Sequence, residues 1–410
     1  MRTTKKVYFV VCLAAFLVFF SFLSNGSAAS KQALIAGICP MTGPVADFSV
    51  TGITGMQDAF AYFNKKGGVK GVQLLLKWED NRYKVPQAIS IYKKFLPQNP
   101  VGFTLWNSSG AHEALKSFLG ADKIPAISIA MSDAQFYPPG WILADGCGYG
   151  DQHAAWFDYY RKNMKKSGKI KVGQIGWDSP YGRSGYKEME KYVATRGGEM
   201  VGIEFTTYAP TTVMPQLMRL KEKGVDYIWI NCYNTTIDIV LKDMARAGIK
   251  APLVGNSNEP VDGQIKASGA EVTEGYISCH GWYSGDYESD LPQDFIDLMN
   301  AGGTRRAGSK NHNVSYSRGW QMGFLFKEGI RLALEKVDFK DLKGEALMNH
   351  GFMNMKGFRT PLTNAPSGLD DKEDRRLNPF VRFYQAKSGK CIPVTGWLKA
   401  PWLKKEVEGK

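Results

Sequence analysis

Cysteine is scarce in this chain of 410 residues, with six in all. None stands in a Cys-x-x-Cys pair or beside histidines at metal-ligand spacing, so no metal centre is expected. The five histidines, His112, His153, His280, His312 and His350, are scattered, and each reads as a core or surface residue rather than a catalytic base. The first apolar segment runs into Cys39-Pro40-Met41-Thr42-Gly43-Pro44, where a dinucleotide site would need Gly-x-Gly-x-x-Gly. Gly146-Cys147-Gly148-Tyr149-Gly150 has the wrong spacing for that role. The segment from Gly303 to Lys310 nearly matches a phosphate-binding loop, but its last two residues are reversed and no strong strand precedes it. A Gly-x-Ser-x-Gly elbow is missing as well. These absences point away from an enzyme and from any cofactor.

Long apolar runs are equally rare. One stretch, Val7 to Leu23, follows the positive residues Arg2, Lys5 and Lys6 and precedes small residues up to Ser30. Ser27 and Ala29 satisfy the small-x-small rule, so residues 1–29 read as a signal peptide cut after Ala29. Cys12 has Val10 and Val11 before it and lies too early for a lipoprotein cysteine. Export to the periplasm follows. Three of the thirteen net positive charges belong to this leader, and no dense Lys/Arg block follows. The remaining excess reads as a solvated basic surface, with no nucleic acid as partner. Five cysteines stay after cleavage, which allows at most two disulfides.

The rest of the chain alternates short apolar strands with amphipathic helices. Strands are expected at 34–38, 72–78, 101–105 and 125–130, with helices at 53–66 and from Pro86. The pattern restarts after residue 150. Strands at 170–177, 199–206, 225–231, 253–255 and 275–279 alternate with helices, two of them at 212–223 and 236–247. A long helix is expected at 314–336, a turn-rich tail at 361–376, and a late strand at 380–384 with 391–397 pairing beside it. Units of about 30 residues of this kind build parallel sheets with right-handed crossovers. The fold class is therefore α/β, with two doubly wound parallel-sheet lobes joined by a multi-strand hinge. Lobe 1 is assigned 30–148 and 281–377, and lobe 2 is assigned 149–280 and 378–410.

Met41-Thr42-Gly43-Pro44-Val45-Ala46, the helix end Asn64-Lys65-Lys66-Gly67-Gly68, and the strand end Glu79-Asp80-Asn81 occur in order. With Asp178-Ser179-Pro180-Tyr181-Gly182 and Gly224-Val225-Asp226-Tyr227-Ile228, they make nearly all of the mature chain resemble the type I periplasmic binding proteins of the branched-chain amino acid group. The resemblance implies a small carboxylate-bearing solute, a branched-chain or related amino acid, held between two closing lobes and handed to the membrane permease of an ABC importer. A monomer is expected.

In open α/β sheets the ligand lies beyond the C-terminal strand ends. The loops at Asn107 and at Ala130-Met131-Ser132 follow two such ends, and the resemblance assigns Asn107, Ala130 and Ser132 to the solute's carboxylate and ammonium. It also assigns Tyr181 and Tyr233 as covering aromatics and puts Phe48 where relatives carry a tyrosine. Trp106 and Tyr149 are further aromatic candidates. An acidic residue pairs the ammonium in relatives; here that position reads as Ser257, with Glu259 two residues on. Should neither pair it, the ligand would be an aromatic acid, urea or a short amide. The family's adjacent crossover strands further suggest a Cys147–Cys279 disulfide. An exported hydrolase is the competing reading from another class. A receptor ectodomain would need a membrane helix or output module after residue 400.

Overall fold

The computed structural model describes residues 31–233, 235–283, 291–302 and 314–409. The leader and the loop at 303–310 lie outside these residues. Among the described residues, no helix is long and apolar enough to cross a membrane.

Two parallel sheets organise the molecule. The first holds β1 (Gln32–Cys39), β2 (Gln73–Asp80), β3 (Gly102–Leu105), β4 (Ala126–Ser128) and β5 (Ile142–Ala144), in the order β2-β1-β3-β4-β5. Its helices are α1 (Ala46–Lys65), α2 (Val85–Phe95) and α3 (Ser109–Asp122). After α4 (Tyr149–Asn163), the second sheet repeats that order. It uses β6 (Ile170–Trp177), β7 (Gly198–Thr206), β8 (Tyr227–Asn231), β9 (Leu253–Gly255) and β10 (Ile277–His280), ordered β7-β6-β8-β9-β10. The helices between these strands are α5 (Tyr186–Ala194), α6 (Met214–Glu222), α7 (Thr235–Arg246) and α8 (Val261–Ser268). Strands such as β1, buried from Ala33 to Cys39, carry continuous apolar runs because helices cover both faces.

The chain returns to the first sheet with α9 (Gln293–Gly302) and α10 (Val314–Ala333). The short pair β11 (Phe358–Thr360) and β12 (Thr363–Ser367) follows. Then β13 (Phe380–Lys387) joins β10 antiparallel, with β14 (Lys390–Pro393) antiparallel at its edge. The chain passes between the two units after β5, after β10 and before β13. Those passages lie side by side: Ala144 bridges to Arg376, and Asn378 Nδ2 donates to the Gly281 carbonyl at 2.8 Å.

Three departures from the sequence reading have physical causes. Helix α1 begins at Ala46 rather than 53, and it runs through Gly52 and Gly55. Its glycines are needed for packing: a Cβ at Gly55 would strike the Tyr316 carbonyl, and one at Gly319 would strike the Gly52 carbonyl. Close approach of α1 and α10 thus overrides glycine's low helix propensity. Helix α4 was not foreseen because it is buried continuously from Tyr149 to Phe157 and has no amphipathic period. The three-residue β5 is too short to stand out.

The Cys147–Cys279 bridge is also corrected. Both are thiols. The Gln152 amide donates to the Cys147 carbonyl at 2.8 Å and accepts from the Cys279 thiol at 3.3 Å.

Two outcomes follow from this packing. Gly319→Ala should cost about 1–3 kcal/mol by forcing α1 and α10 apart; urea unfolding at unchanged slope measures it, and an unshifted midpoint would contradict the close contact. Burial lowers His112, His153 and His280 from 6.5 to about 3, so all three are held neutral. The stability they contribute is present above the ordinary value and lost as pH falls toward about 3. Thermal midpoints should fall on acidification. His153→Phe, which keeps the stack on Trp229, should show a smaller fall; an identical acid limb would remove His153 from the effect.

Candidate functional site

The repeated strand order places a switch point between β1 and β3 in one sheet and between β6 and β8 in the other, where flanking loops diverge. A cavity lies where these two edges face each other. Val45, Tyr83, Asn107, Ser109 and Ala130 line it from the first sheet's loops. Tyr149 opens α4, and Tyr181, Tyr233 and Asn258 close the cavity from the second sheet. The empty space is about 280 Å³, of which about 20 Å³ admits the centre of a water-sized sphere.

No charged side chain is among these lining residues. Recognition therefore rests on hydroxyls, amides and backbone groups. Burial raises the Tyr83, Tyr149 and Tyr181 hydroxyls above their ordinary value, so they act as neutral donors. Asn258 Nδ2 donates to Tyr149 Oη at 2.6 Å, and the Tyr149 and Tyr181 rings meet edge-on at 5.0 Å. Asn107 has a left-handed backbone (φ 39°) at the end of β3, just before α3. Its Oδ1 is buried with no partner among the described residues, while its Nδ2 donates to Ser49 Oγ at 3.3 Å. Helix α3 has no side-chain cap, so its first-turn N–H groups remain available beside the cavity. An unpartnered acceptor next to free helix N–H groups suits a solute that carries both a donor and an anion.

Comparison with known proteins agrees with this geometry. Residues 33–390 match the family model described as periplasmic binding protein. The chain belongs to the periplasmic binding protein family. A Leu/Ile/Val-binding protein homologue of Brucella suis is 24% identical over 279 residues, covering 68% of this chain and 72% of that protein. A branched-chain amino acid ABC transporter protein from Thermus thermophilus, solved with bound valine, superposes with a TM-score of 0.81 at 21% identity. That match covers 93% of this chain and all of the other. A substrate-binding protein from Streptococcus pneumoniae, solved with isoleucine, gives 0.70 at 17% identity, covering 89% of this chain and 100% of that one.

Within this family frame, the structure brings Asn107, Ala130, Tyr149, Tyr181 and Tyr233 together at one cavity. Phe48 stands against Tyr233, with ring centroids 6.0 Å apart, outside the innermost space. The other candidates sit a layer away. Trp106 is in the core beneath Gly52 and donates to Thr104 Oγ1 at 2.8 Å. Ser132 is held by Glu113 at 2.5 Å and by Gln135 at 2.8 Å. Ser257 is locked by Gln152, whose Oε1 accepts from the Ser257 N–H at 2.8 Å.

Glu259 turns back onto its own loop. Its Oε2 accepts the Asn256 N–H at 3.1 Å, and its Oε1 accepts the Tyr181 hydroxyl. Burial pushes its carboxyl well above the usual range, against the opposing pull of those hydrogen bonds. It therefore supports Tyr181 and does not line the cavity.

Sequence reasoning passed over Tyr83 and Asn258. Tyr83 follows the Glu79-Asp80-Asn81 motif by two residues. There Asp80 accepts Met41 N–H at 2.9 Å and Arg82 N–H at 2.8 Å, pinning two cavity loops together. Asn258 lies between the two residues that were singled out.

Behind Asn258 sits Arg318 of α10, fully buried. It forms a two-pronged pair with Asp145 at 2.5 and 2.6 Å, donates to Asn258 Oδ1 at 2.5 Å, and donates to the Ile129 carbonyl at 2.8 Å. Its guanidinium also lies 4.5 Å from the Trp282 ring centroid. Arg318→Met should cost about 3–5 kcal/mol, because Asp145 would be left buried and unpaired. Arg318→Met with Asp145→Leu should recover much of that loss in denaturant unfolding; equal loss in single and double variants would contradict the pairing.

Proposed function

We propose that this protein is the solute-binding component of an ABC importer and captures a branched-chain or related α-amino acid between its two sheets. The observation that carries the reading is the cavity at the facing switch points, where Asn107 Oδ1 lacks a partner beside the first turn of α3. The solute's carboxylate would accept N–H groups of that turn, with the Tyr149 hydroxyl beside it. Its α-nitrogen would donate to Asn107 Oδ1. Tyr181 and Tyr233 would cover the side chain from the other sheet, and their faces also suit a cation. The ligands named for the Thermus and Streptococcus proteins support this class.

Export with cleavage after Ala29, a periplasmic monomer and delivery to a membrane permease complete the proposal. No catalytic role is assigned. The uncharged lining favours one second reading, a solute without an ammonium, such as an aromatic acid or short amide.

Calorimetry with leucine, isoleucine, valine, benzoate and acetamide separates the two. Isoleucine at 100 times its Kd should stabilise the protein by about 2.7 kcal/mol. Asn107→Ala should weaken its binding by about 1–3 kcal/mol. Response to benzoate or acetamide alone would overturn the amino-acid reading.

A further inference from the structure

The innermost space is narrow. Its 20 Å³ of room for a sphere centre is about what one water needs. A second chamber adjoins it. On the same measure this outer chamber offers about 330 Å³, within about 770 Å³ of empty space. Tyr233 lines both chambers, and the edge-on Phe48–Tyr233 pair, 6.0 Å between centroids, stands at the division.

The outer chamber is built between the same two units as the inner one. Helix α1 supplies Phe48 and Thr51, the start of α10 supplies Val314, and α8 with its approach supplies Pro260 and Ala267. Its buried walls are Phe48, Tyr233, Pro260 and Val314, with Ser315, whose hydroxyl already donates to the Phe48 carbonyl. The charged residues among its walls, Asp47 and Lys266, are exposed at its rim. Polar recognition groups thus lie on one side of the aromatic pair and roomy apolar walls on the other. A solute whose head is held at Asn107 and α3 has no room there for a long substituent. The substituent must pass Phe48 and Tyr233, where burial of each methylene is favourable.

We infer that the outer chamber takes the apolar tail of the solute, so that side chains reaching past Phe48 and Tyr233 bind more tightly than otherwise identical ones that stop short of them. The assignment of the head to an α-amino acid rests on the function proposed above; the assignment of the tail does not.

Calorimetry on the full exported chain tests it with two probe series. One is alanine, norvaline, norleucine and their longer straight-chain homologue. The other is butanoate, hexanoate and octanoate. Affinity is expected to rise about fourfold per added methylene, once the chain passes the aromatic pair. Thr51→Trp and Ala267→Trp narrow the outer chamber from α1 and from α8, and neither position lines the inner one. Each should weaken the longest probe at least tenfold and leave alanine or butanoate unchanged.

If the amino acids fail to bind while the simple carboxylates show the slope and its loss, the amino-acid reading falls and the tail chamber stands. Flat affinity along both series overturns the inference. So does a slope that neither tryptophan variant reduces. Binding by neither series overturns the inference, while isoleucine binding decides the amino-acid reading separately.

Discussion

The buried guanidinium of Arg318 ties the two halves of this molecule together. Arg318 leaves helix α10 of the first unit and reaches Asp145 at the end of β5, the Ile129 carbonyl after β4, and Asn258 in the loop after β9. Three segments from both sheets are thereby oriented around one charge, and desolvating that charge is tolerable because every contact is close and the carboxylate pairs it on two prongs. Asn258 then passes the order on to Tyr149, and Tyr149 shapes the cavity with Tyr181. The charge stays one layer behind the lining. What the cavity offers a solute is a set of neutral groups held still by ions it does not touch.

The same economy explains the acidic residue next to the site. Glu259 could have faced the cavity, but the turn from Asn256 folds its carboxyl back against Asn256 and Tyr181. Tyr181 also takes Asn256 Nδ2 at 3.0 Å, so its ring is fixed from behind. Pre-placed polar groups of this kind lose little freedom when they meet a ligand, which is where selective binding gains most.

Much of the fold was legible. Strand–helix alternation, restarted after residue 150, pointed to two parallel sheets, and the family resemblance pointed to Asn107, Ala130, Tyr181 and Tyr233 in loops that follow strand ends. The parts that escaped are those set by tertiary contact. Helix α4 has no amphipathic stripe from Tyr149 to Phe157 because it is covered all round there, and Gly52 hides the first turns of α1 until α10 is seen against it. Arg318 looks like any polar residue on a long helix, since its partners lie 173 and 60 positions away. Ser132 and Ser257 carry the right chemistry at the right strand ends, but Glu113, Gln135 and Gln152 have already claimed their hydrogen bonds. Such competition between neighbours cannot be read from spacing.

The most direct measurement is a crystal structure of the protein grown with isoleucine. The solute is expected between the two sheets, with its carboxylate on the first turn of α3, its nitrogen at Asn107 Oδ1, and Arg318 still paired with Asp145. Isoleucine bound elsewhere, or a carboxylate bonded directly to Arg318 with Asp145 displaced, would contradict an uncharged site held in place by a buried ion pair.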